Sequence, residues 1–456
     1  MTSRPAAPNT RLGALIARST VPHRELARRV NALAPATGRQ TAYTHTHVAK
    51  WIAGATPRGE EIQLRIVKVL GEQLGHAVTR EDAGWGVPKT VGPDVGLDFP
   101  QDRRAALEGA VTCWSTVDRR DLFHLTGAAA FSTPVMRWLA KPADESAVHT
   151  GANRVGQTDV DRLWTAAAEA QVLDSRYGGG SWRSSQAMAC LRDAGPLLKG
   201  TYTAATGQGL YGGLAELSRV VGWAAMDGGD RAAADRLLIQ ALRLARAAGD
   251  VELGCYVLAT MSLATFLAGR CAQAAEMASA AYERGQGRAA PRVLAFCKLA
   301  EARALARQGD GAGAGGALAL CERLLSGIRP GTHDPEWIAY MTVERLATDS
   351  VEIFRDLGLT RPAMVWAQQA GGMPVGRYTR AVGIRAAVLA SAHLIDGNLE
   401  PALTDGHRSV DILKGVRSPR AHTYLYDVTD RLGRWKDEPA VRDLVHRVRT
   451  ELPSTG

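Results

Sequence analysis

The sequence has few aromatic residues and lacks the patterns that mark an enzyme or a metal site. Only 6% of the 456 residues are Phe, Trp or Tyr, and the six cysteines are scattered without a C-x-x-C pair. Scattered cysteines in a chain of this length indicate buried thiols in a reducing compartment, not a disulfide framework or a zinc site. The motifs G-x-S-x-G, H-E-x-x-H and the P-loop are also missing. We therefore expect no enzymatic activity, no metal and no cofactor.

Long apolar runs are scarce as well. The longest uncharged apolar run, residues 253–269, lies at the lower limit of length for crossing a bilayer and contains Thr260, Ser262 and Thr265. Residues 1–9 are polar and contain prolines where a secretion signal needs an apolar core. We expect a buried helix at residues 253–269, no membrane association and a cytoplasmic protein.

Positive charge is concentrated at the start of the chain. Residues 1–58 hold nine lysines or arginines and one acidic residue, Glu25, so this segment carries +8 of the formal net charge of +9. A small cationic segment joined to a nearly neutral body is typical of a protein that binds a polyanion such as nucleic acid. Apolar residues within the segment indicate a folded domain and not a charged tail.

The apolar spacing predicts a small all-α domain of four short helices at residues 1–83. Asn9 is a suitable N-cap for the first helix, and Pro22 suits the first turn of the second. Thr44 or Thr46 can cap the third helix, which Gly54 would end. The inward side of the third helix is predicted to hold Val48, Trp51 and Ile52.

Residues 23–57 resemble the helix-turn-helix of phage-repressor-type (XRE-like) regulators. The run H-R-E-L-A-R-R-V at 23–30 resembles the second helix of that family, and V-x-x-W-x-x-G-x-x-P at 48–57 resembles the end of its third helix, which enters the DNA major groove. The resemblance implies that His45, Thr46 and Lys50 read bases and that His23 and His47 contact phosphates. We expect no metal at His45 and His47 because no third ligand lies nearby.

Helical geometry supports part of this assignment independently. Steps of 100° per residue place Thr46 and Lys50 on the outward face when Val48 points inward. Lysine can donate to guanine, and threonine to several bases. Arg39 and Arg58 flank the helix and suit phosphate contacts, which position a domain without reading sequence.

One feature departs from the family pattern. The turn between the second and third helices should have about three or four residues, but here residues 31–43 intervene. This insert either extends the second helix or forms a loop against the DNA backbone.

Glycine turns recur along residues 158–456. Glycines at 229, 269, 309, 358, 397 and 433 are separated by 40, 40, 49, 39 and 36 residues, and each interval holds two helical stretches. Helix pairs at this spacing predict an α-solenoid of the tetratricopeptide or HEAT type. Residues 311–316 formally match G-x-G-x-x-G, but a helix precedes them, so we expect a loop between helices and no dinucleotide site.

A solenoid presents a concave surface lined by the first helix of each pair, and such surfaces bind peptides, small molecules or partner proteins. Several aromatic residues are candidates for lining this groove, although each also suits ordinary packing between helices. The candidates are Tyr211, Trp223, Tyr256, Trp337, Tyr340 and Tyr378.

Residues 84–157 have the composition of a linker with helical segments between the two parts. The whole layout resembles actinobacterial regulators that join a repressor-type helix-turn-helix to tetratricopeptide-like repeats. That resemblance implies a transcription factor of development or secondary metabolism. One N-terminal domain makes too few contacts for tight specific binding, so we expect a homodimer that binds double-stranded DNA in the nucleoid. The alternative is an interaction scaffold whose N-terminal module docks a protein rather than DNA.

Overall fold

The computed structural model describes residues 8–33, 42–57, 60–74, 78, 80, 82–85, 95–117, 130–145, 149–151 and 153–452. In these residues every regular element is a helix, and β-pairing is limited to two isolated bridges, at His149–Tyr202 and Arg154–Thr201. The predicted all-α class is confirmed. The chain divides into two compact units, Met1–Gly92 and Pro93–Gly456.

The first unit contains the four predicted helices. Their buried apolar residues, together with Ala83 and Trp85, form one core, so this unit includes residues beyond the predicted end at 83. Asn9 fixes the start of the first helix, because its side chain accepts the amide of Leu12 and donates to the carbonyl of Ala83. The helices are α1 (Thr10–Ser19), α2 (His23–Ala32), α3 (His45–Ile52) and α4 (Glu60–Leu74).

The second unit begins with helices that precede the repeats. They are α5 (Arg103–Thr116), α6 (Ser132–Ala140), α7 (Gln157–Tyr177), α8 (Gln186–Asp193) and α9 (Gly195–Leu198). Residues 84–157 were expected to form a linker with helical segments; α5 and α6 are two such segments among its described residues, and both pack on the repeat helices. Side chains of the repeats also hold the residues before α5: Arg236 donates to the carbonyl of Val95, and Arg243 to that of Pro100.

Six helix pairs follow. They are α10 (Ala204–Asp227) with α11 (Arg231–Ala248), α12 (Val251–Leu267) with α13 (Cys271–Gly285), α14 (Pro291–Arg307) with α15 (Gly311–Ser326), α16 (Val343–Asp356) with α17 (Thr360–Gln369), α18 (Thr379–Ile395) with α19 (Leu399–Leu413), and α20 (Pro419–Arg431) with α21 (Pro439–Glu451). The first helix of each pair contacts the first helix of the next, as in a solenoid.

The glycine period marks the turn inside each pair. The first five of the six glycines have positive φ, which an L-residue seldom adopts. Gly433 differs because it lies within a 3₁₀ turn, Leu432–Trp435. The glycine-rich run at 311–316 was predicted to be a loop, and that prediction is wrong. It begins α15, because Asp310 caps the amide of Gly313, and Ala314 and Leu318 are buried against α14.

The expected buried helix at residues 253–269 is α12, and the side chains along most of its length are buried. Across the described segments, no helix combines the length and apolar character that a membrane span requires. The six cysteines are free thiols, four of them buried.

Candidate functional site

Helix α3 has one buried and one exposed side. Val48 and Trp51 are buried in the core of the first unit, whereas His45, Thr46 and Lys50 are exposed. Ala49 and Ala53 are exposed too, and their small side chains leave room for close approach to a ligand. The structure therefore brings the three residues predicted to read bases onto the accessible side of one helix.

His47 has a structural role that the sequence did not predict. The backbone amide of Thr44 donates to its Nδ1 at 3.1 Å, and its ring packs against Tyr43 with centroids 5.4 Å apart. Because Nδ1 is an acceptor, Nε2 of the neutral ring carries the proton and can donate outward. His47 thus holds the first turn of α3 and keeps one donor for another partner.

Asn31 ties the two ends of the insert together. Its Oδ1 accepts the amide of Tyr43 at 3.0 Å, and its Nδ2 donates to the Tyr43 carbonyl at 2.8 Å. The last turn of α2 is thereby joined directly to Tyr43, two positions before the first residue of α3, although residues 34–41 lie outside the described chain. Helix α2 ends at Ala32, so within the described residues the insert extends it by only two residues.

The charged side chains of segment 1–58 are almost all positive. Glu25, the one acidic residue of segment 1–58, accepts hydrogen bonds from Arg28 and then Arg29, which lower its pKa to about 2. His23 is half-exposed at the first position of α2, where the helix dipole favours an anion. The predicted phosphate contacts Arg39 and Arg58 lie outside the described residues.

The second unit contains a cavity of about 100 Å³ on the inner side of its solenoid. It is lined by the first helix of each of the six pairs, as expected for a concave surface, and by α7. Helix α7 contacts α18, and α10 contacts α20, so the first and last pairs meet and close the groove.

The structure separates the six aromatic candidates into three groups. Four line the cavity: Trp223, Tyr256, Tyr340 and Tyr378. Trp337 lies behind them, stacked on Tyr256 at 4.9 Å between ring centroids. Tyr211 does not line the cavity, because it is buried in the core with its hydroxyl 2.6 Å from that of Tyr202.

The cavity wall is rich in arginine. Six arginines and three carboxylates line it, and most are held in ion pairs. Two buried carboxylates that pair with these arginines illustrate the electrostatics. Burial alone would raise the pKa of Asp227, but Arg380 and Arg420 lower it below its ordinary value. Burial opposes the same effect at Glu352, where Arg303 and neighbouring arginines lower the pKa to about 2.

Sequence reasoning missed this arginine lining because nothing in the local pattern distinguishes a cavity arginine from a surface one. A weak signal existed in the helical spacing: Ala381, Arg385 and Val388 recur at steps of four and three on α18, and all three line the cavity. Among the described residues, no group of three or more His, Cys, Asp or Glu side chains could hold a metal ion.

Comparison with known proteins adds one finding. The SP15 N-terminal domain family matches residues 12–86, which lie within the first unit. No curated protein matches the chain significantly.

Proposed function

We propose that the protein is a sequence-specific DNA-binding transcriptional regulator whose helix α3 enters the major groove. The observation that carries this proposal is the joint exposure of His45, Thr46 and Lys50 on α3 while Val48 and Trp51 anchor its other side. An ammonium group can donate to guanine O6 or N7, and the hydroxyl and imidazole groups can pair with several base edges.

Phosphate contacts would orient this helix. His23 at the start of α2 and Nε2 of His47 supply donors beside α3, and Arg39 and Arg58 complete the proposed set. The positive charge of segment 1–58 supplies the attraction to the duplex. Such contacts fix the position of a domain on DNA without selecting a sequence.

The second unit would mediate dimerisation and signal response. One helix of eight residues reaches few bases, so a homodimer on two half-sites about 34–36 Å apart is expected. A peptide, small molecule or protein bound by the solenoid would alter that dimer. In this proposal the chain is not an enzyme, it acts at the nucleoid in the cytoplasm, and it fits the resemblance to actinobacterial regulators of development or secondary metabolism.

The test is selection of binding sites from random duplexes by the full-length protein, followed by mobility shifts. Lys50→Ala and Thr46→Ala should each lose discrimination at one base position by roughly 1–3 kcal/mol, or about 5- to 150-fold. Lys68→Ala is the matched control, because Lys68 is an exposed lysine of the same unit on α4, and it should keep the selected sequence.

Two results would contradict the proposal. If both α3 variants select the same sequence as the unaltered protein, α3 does not read the bases. If the full-length protein binds no duplex while its first unit captures a protein through the same α3 face, the scaffold alternative is correct.

A further inference from the structure

Arg385 is the exception among the arginines that line the cavity. Arg219, Arg303, Arg345, Arg380 and Arg420 each lie within 2.9 Å of a carboxylate oxygen. Arg385 is 7% exposed, and no carboxylate of the described residues lies within 4.0 Å of it. Its one bonded nitrogen, Nη1, donates to the Thr348 hydroxyl and to the Ala370 carbonyl.

The remaining donors of Arg385 have no protein acceptor in the described part of the chain. Asp405 is the carboxylate whose charge acts on Arg385. Its Oδ2, however, lies 3.6 Å from Nε2 of His393, with which it pairs. Burial, and next the neighbouring Arg408, lower the pKa of Arg385, and the attraction of Asp405 does not outweigh them. The cavity wall thus holds one buried guanidinium that no carboxylate of the described residues pairs with directly.

Three further polar side chains belong to residues that line the same cavity: Trp223, Tyr378 and Ser175. None of the three has a hydrogen-bond partner among the residues that the structure describes. An indole N–H can only donate and a hydroxyl can donate or accept, so together with the guanidinium of Arg385 these groups suit a ligand that accepts hydrogen bonds and carries a single negative charge.

The volume of the cavity and the apolar part of its wall limit the class of ligand further. A volume of about 100 Å³ is smaller than the roughly 150 Å³ cavity that holds benzene in an engineered protein. Leu263, Ile384 and Val388 supply apolar wall beside the donors. The planar fork of a guanidinium matches the two oxygens of a carboxylate.

We propose that this cavity binds a small monocarboxylate, with its two oxygens on Arg385 and a short alkyl chain against the apolar wall. The acid would be the signal read by the second unit. That last point rests on the proposed regulatory function, whereas the binding itself does not.

The test is calorimetric titration and thermal unfolding of the full-length protein with sodium acetate, propionate and butyrate. Sodium chloride and inorganic phosphate at equal ionic strength are the comparisons. We expect saturable binding of at least one carboxylate, with a rise in Tm that chloride does not produce. Arg385→Gln should weaken that binding at least tenfold, and the exposed Arg361→Gln on α17 should leave it unchanged.

A second variant keeps the test decisive if Arg385→Gln does not fold. Ala381→Leu fills the cavity from the same face of α18 and should abolish binding while Arg385 stays in place. The proposal is overturned if no carboxylate binds, if Arg385→Gln or Ala381→Leu binds as well as the unaltered protein, or if phosphate binds more tightly than every carboxylate.

Mobility shifts with and without the acid separate this inference from the proposed function. An acid that binds and changes the affinity for DNA supports both. Binding of the acid without any binding of DNA leaves the site intact and refutes the regulator. Binding of DNA without any binding of the acid refutes the site alone.

Discussion

Single residues at the start of α3 decide how firmly its outward face is held. His47 occupies the third position of the helix, and its Nδ1 accepts the amide of Thr44, the N-cap residue. In a capping box this position is usually Glu or Gln. A histidine there performs the same bond and leaves Nε2 available, so one residue can serve both stability and phosphate contact.

Substitution of His47 separates these two roles. His47→Ala should lower the free energy of unfolding of the first unit by about 1 kcal/mol, because the Thr44 amide loses its acceptor. His47→Gln should restore most of that loss. Chemical denaturation followed by tryptophan fluorescence measures both. If alanine and glutamine give equal stability, the ring does not act as a cap.

The same pair of variants reports on the phosphate contact. Both variants lose the ring N–H, so if Nε2 of His47 donates to a phosphate, both should weaken DNA binding by roughly 1.5–3 kcal/mol. Because a neutral donor releases no counterion, the slope of log affinity against log salt should stay unchanged. A mobility-shift series in increasing salt measures both quantities, and an affinity for DNA that is unchanged in both variants would limit His47 to its structural role.

Helices were predicted correctly from the sequence where neighbouring residues cap them or form the turns at their ends. The glycine period predicted two helical stretches between residues 229 and 269, and α11 is the first of them, because Asp230 caps it and Gly249 ends it in the left-handed conformation. The prediction of a loop at residues 311–316, where α15 begins, failed for a physical reason. Glycine lowers helix propensity, but the Asp310 cap and burial of Ala314 against α14 outweigh it. This packing is a contact between two helices, so the sequence of residues 311–316 alone does not indicate it.

The unusual composition of α15 leads to a stability prediction. Gly315 and Gly316 are exposed, have helical backbone, and an added Cβ would meet nothing within 4 Å at either. Replacing either by alanine should raise the free energy of unfolding by roughly 0.5–1 kcal/mol. Thermal unfolding of the full-length protein measures this gain.

Gly309 is the matched control for that series. It has φ +81° in the turn before α15, where a side chain is strained although space is open. Gly309→Ala should therefore lower the Tm while Gly315→Ala raises it. Equal effects of the two substitutions would contradict the assignment of helical and left-handed backbone.

At the scale of the second unit, long-range ion pairs close the solenoid. Arg380 binds Asp174 and Asp227, and Arg420 also binds Asp227. The partners are separated by 206 and 193 positions for the Arg380–Asp174 and Arg420–Asp227 pairs. The repeat period predicted a concave surface, but it carried no information on whether the ends of the array meet, because curvature accumulates from small rotations between pairs.

Glycines allow this closure at the backbone level. The amide of Gly179 donates to Asp227 and that of Gly180 to the Arg417 carbonyl, both at 2.9 Å. A Cβ on Gly179 would approach the Ala224 carbonyl to 2.0 Å. The run of three glycines at 178–180 therefore lets the segment after α7 lie directly against α10 and the loop before α20.

Arg380→Met should destabilise the second unit by roughly 3–5 kcal/mol, because it leaves two buried carboxylates without their shared cation. Hydrogen exchange should accelerate at the amides of Gly179 and Gly180, which lie at the closure. Arg361→Met, at an exposed position of α17, should change neither quantity. Unaltered exchange at these glycines would mean that the ion pairs do not hold the ends together.

The buried carboxylate Glu352 makes the free energy of unfolding of the second unit depend on pH in the acid range. Its pKa is about 2, below the ordinary 4.5, because Arg303, Arg355 and Arg307 outweigh the effect of burial. A lowered pKa means that the unfolded chain binds the proton more tightly, so this stabilisation is complete above pH 4.5 and is lost as the pH falls toward 2.

Glu352→Gln removes the charge at every pH. The difference in unfolding free energy between the two proteins should be constant from pH 7 to about 5 and then shrink steadily toward pH 2. Urea denaturation across that range measures the difference, and one that stays constant down to pH 2 would show that Glu352 is not held ionised by these arginines.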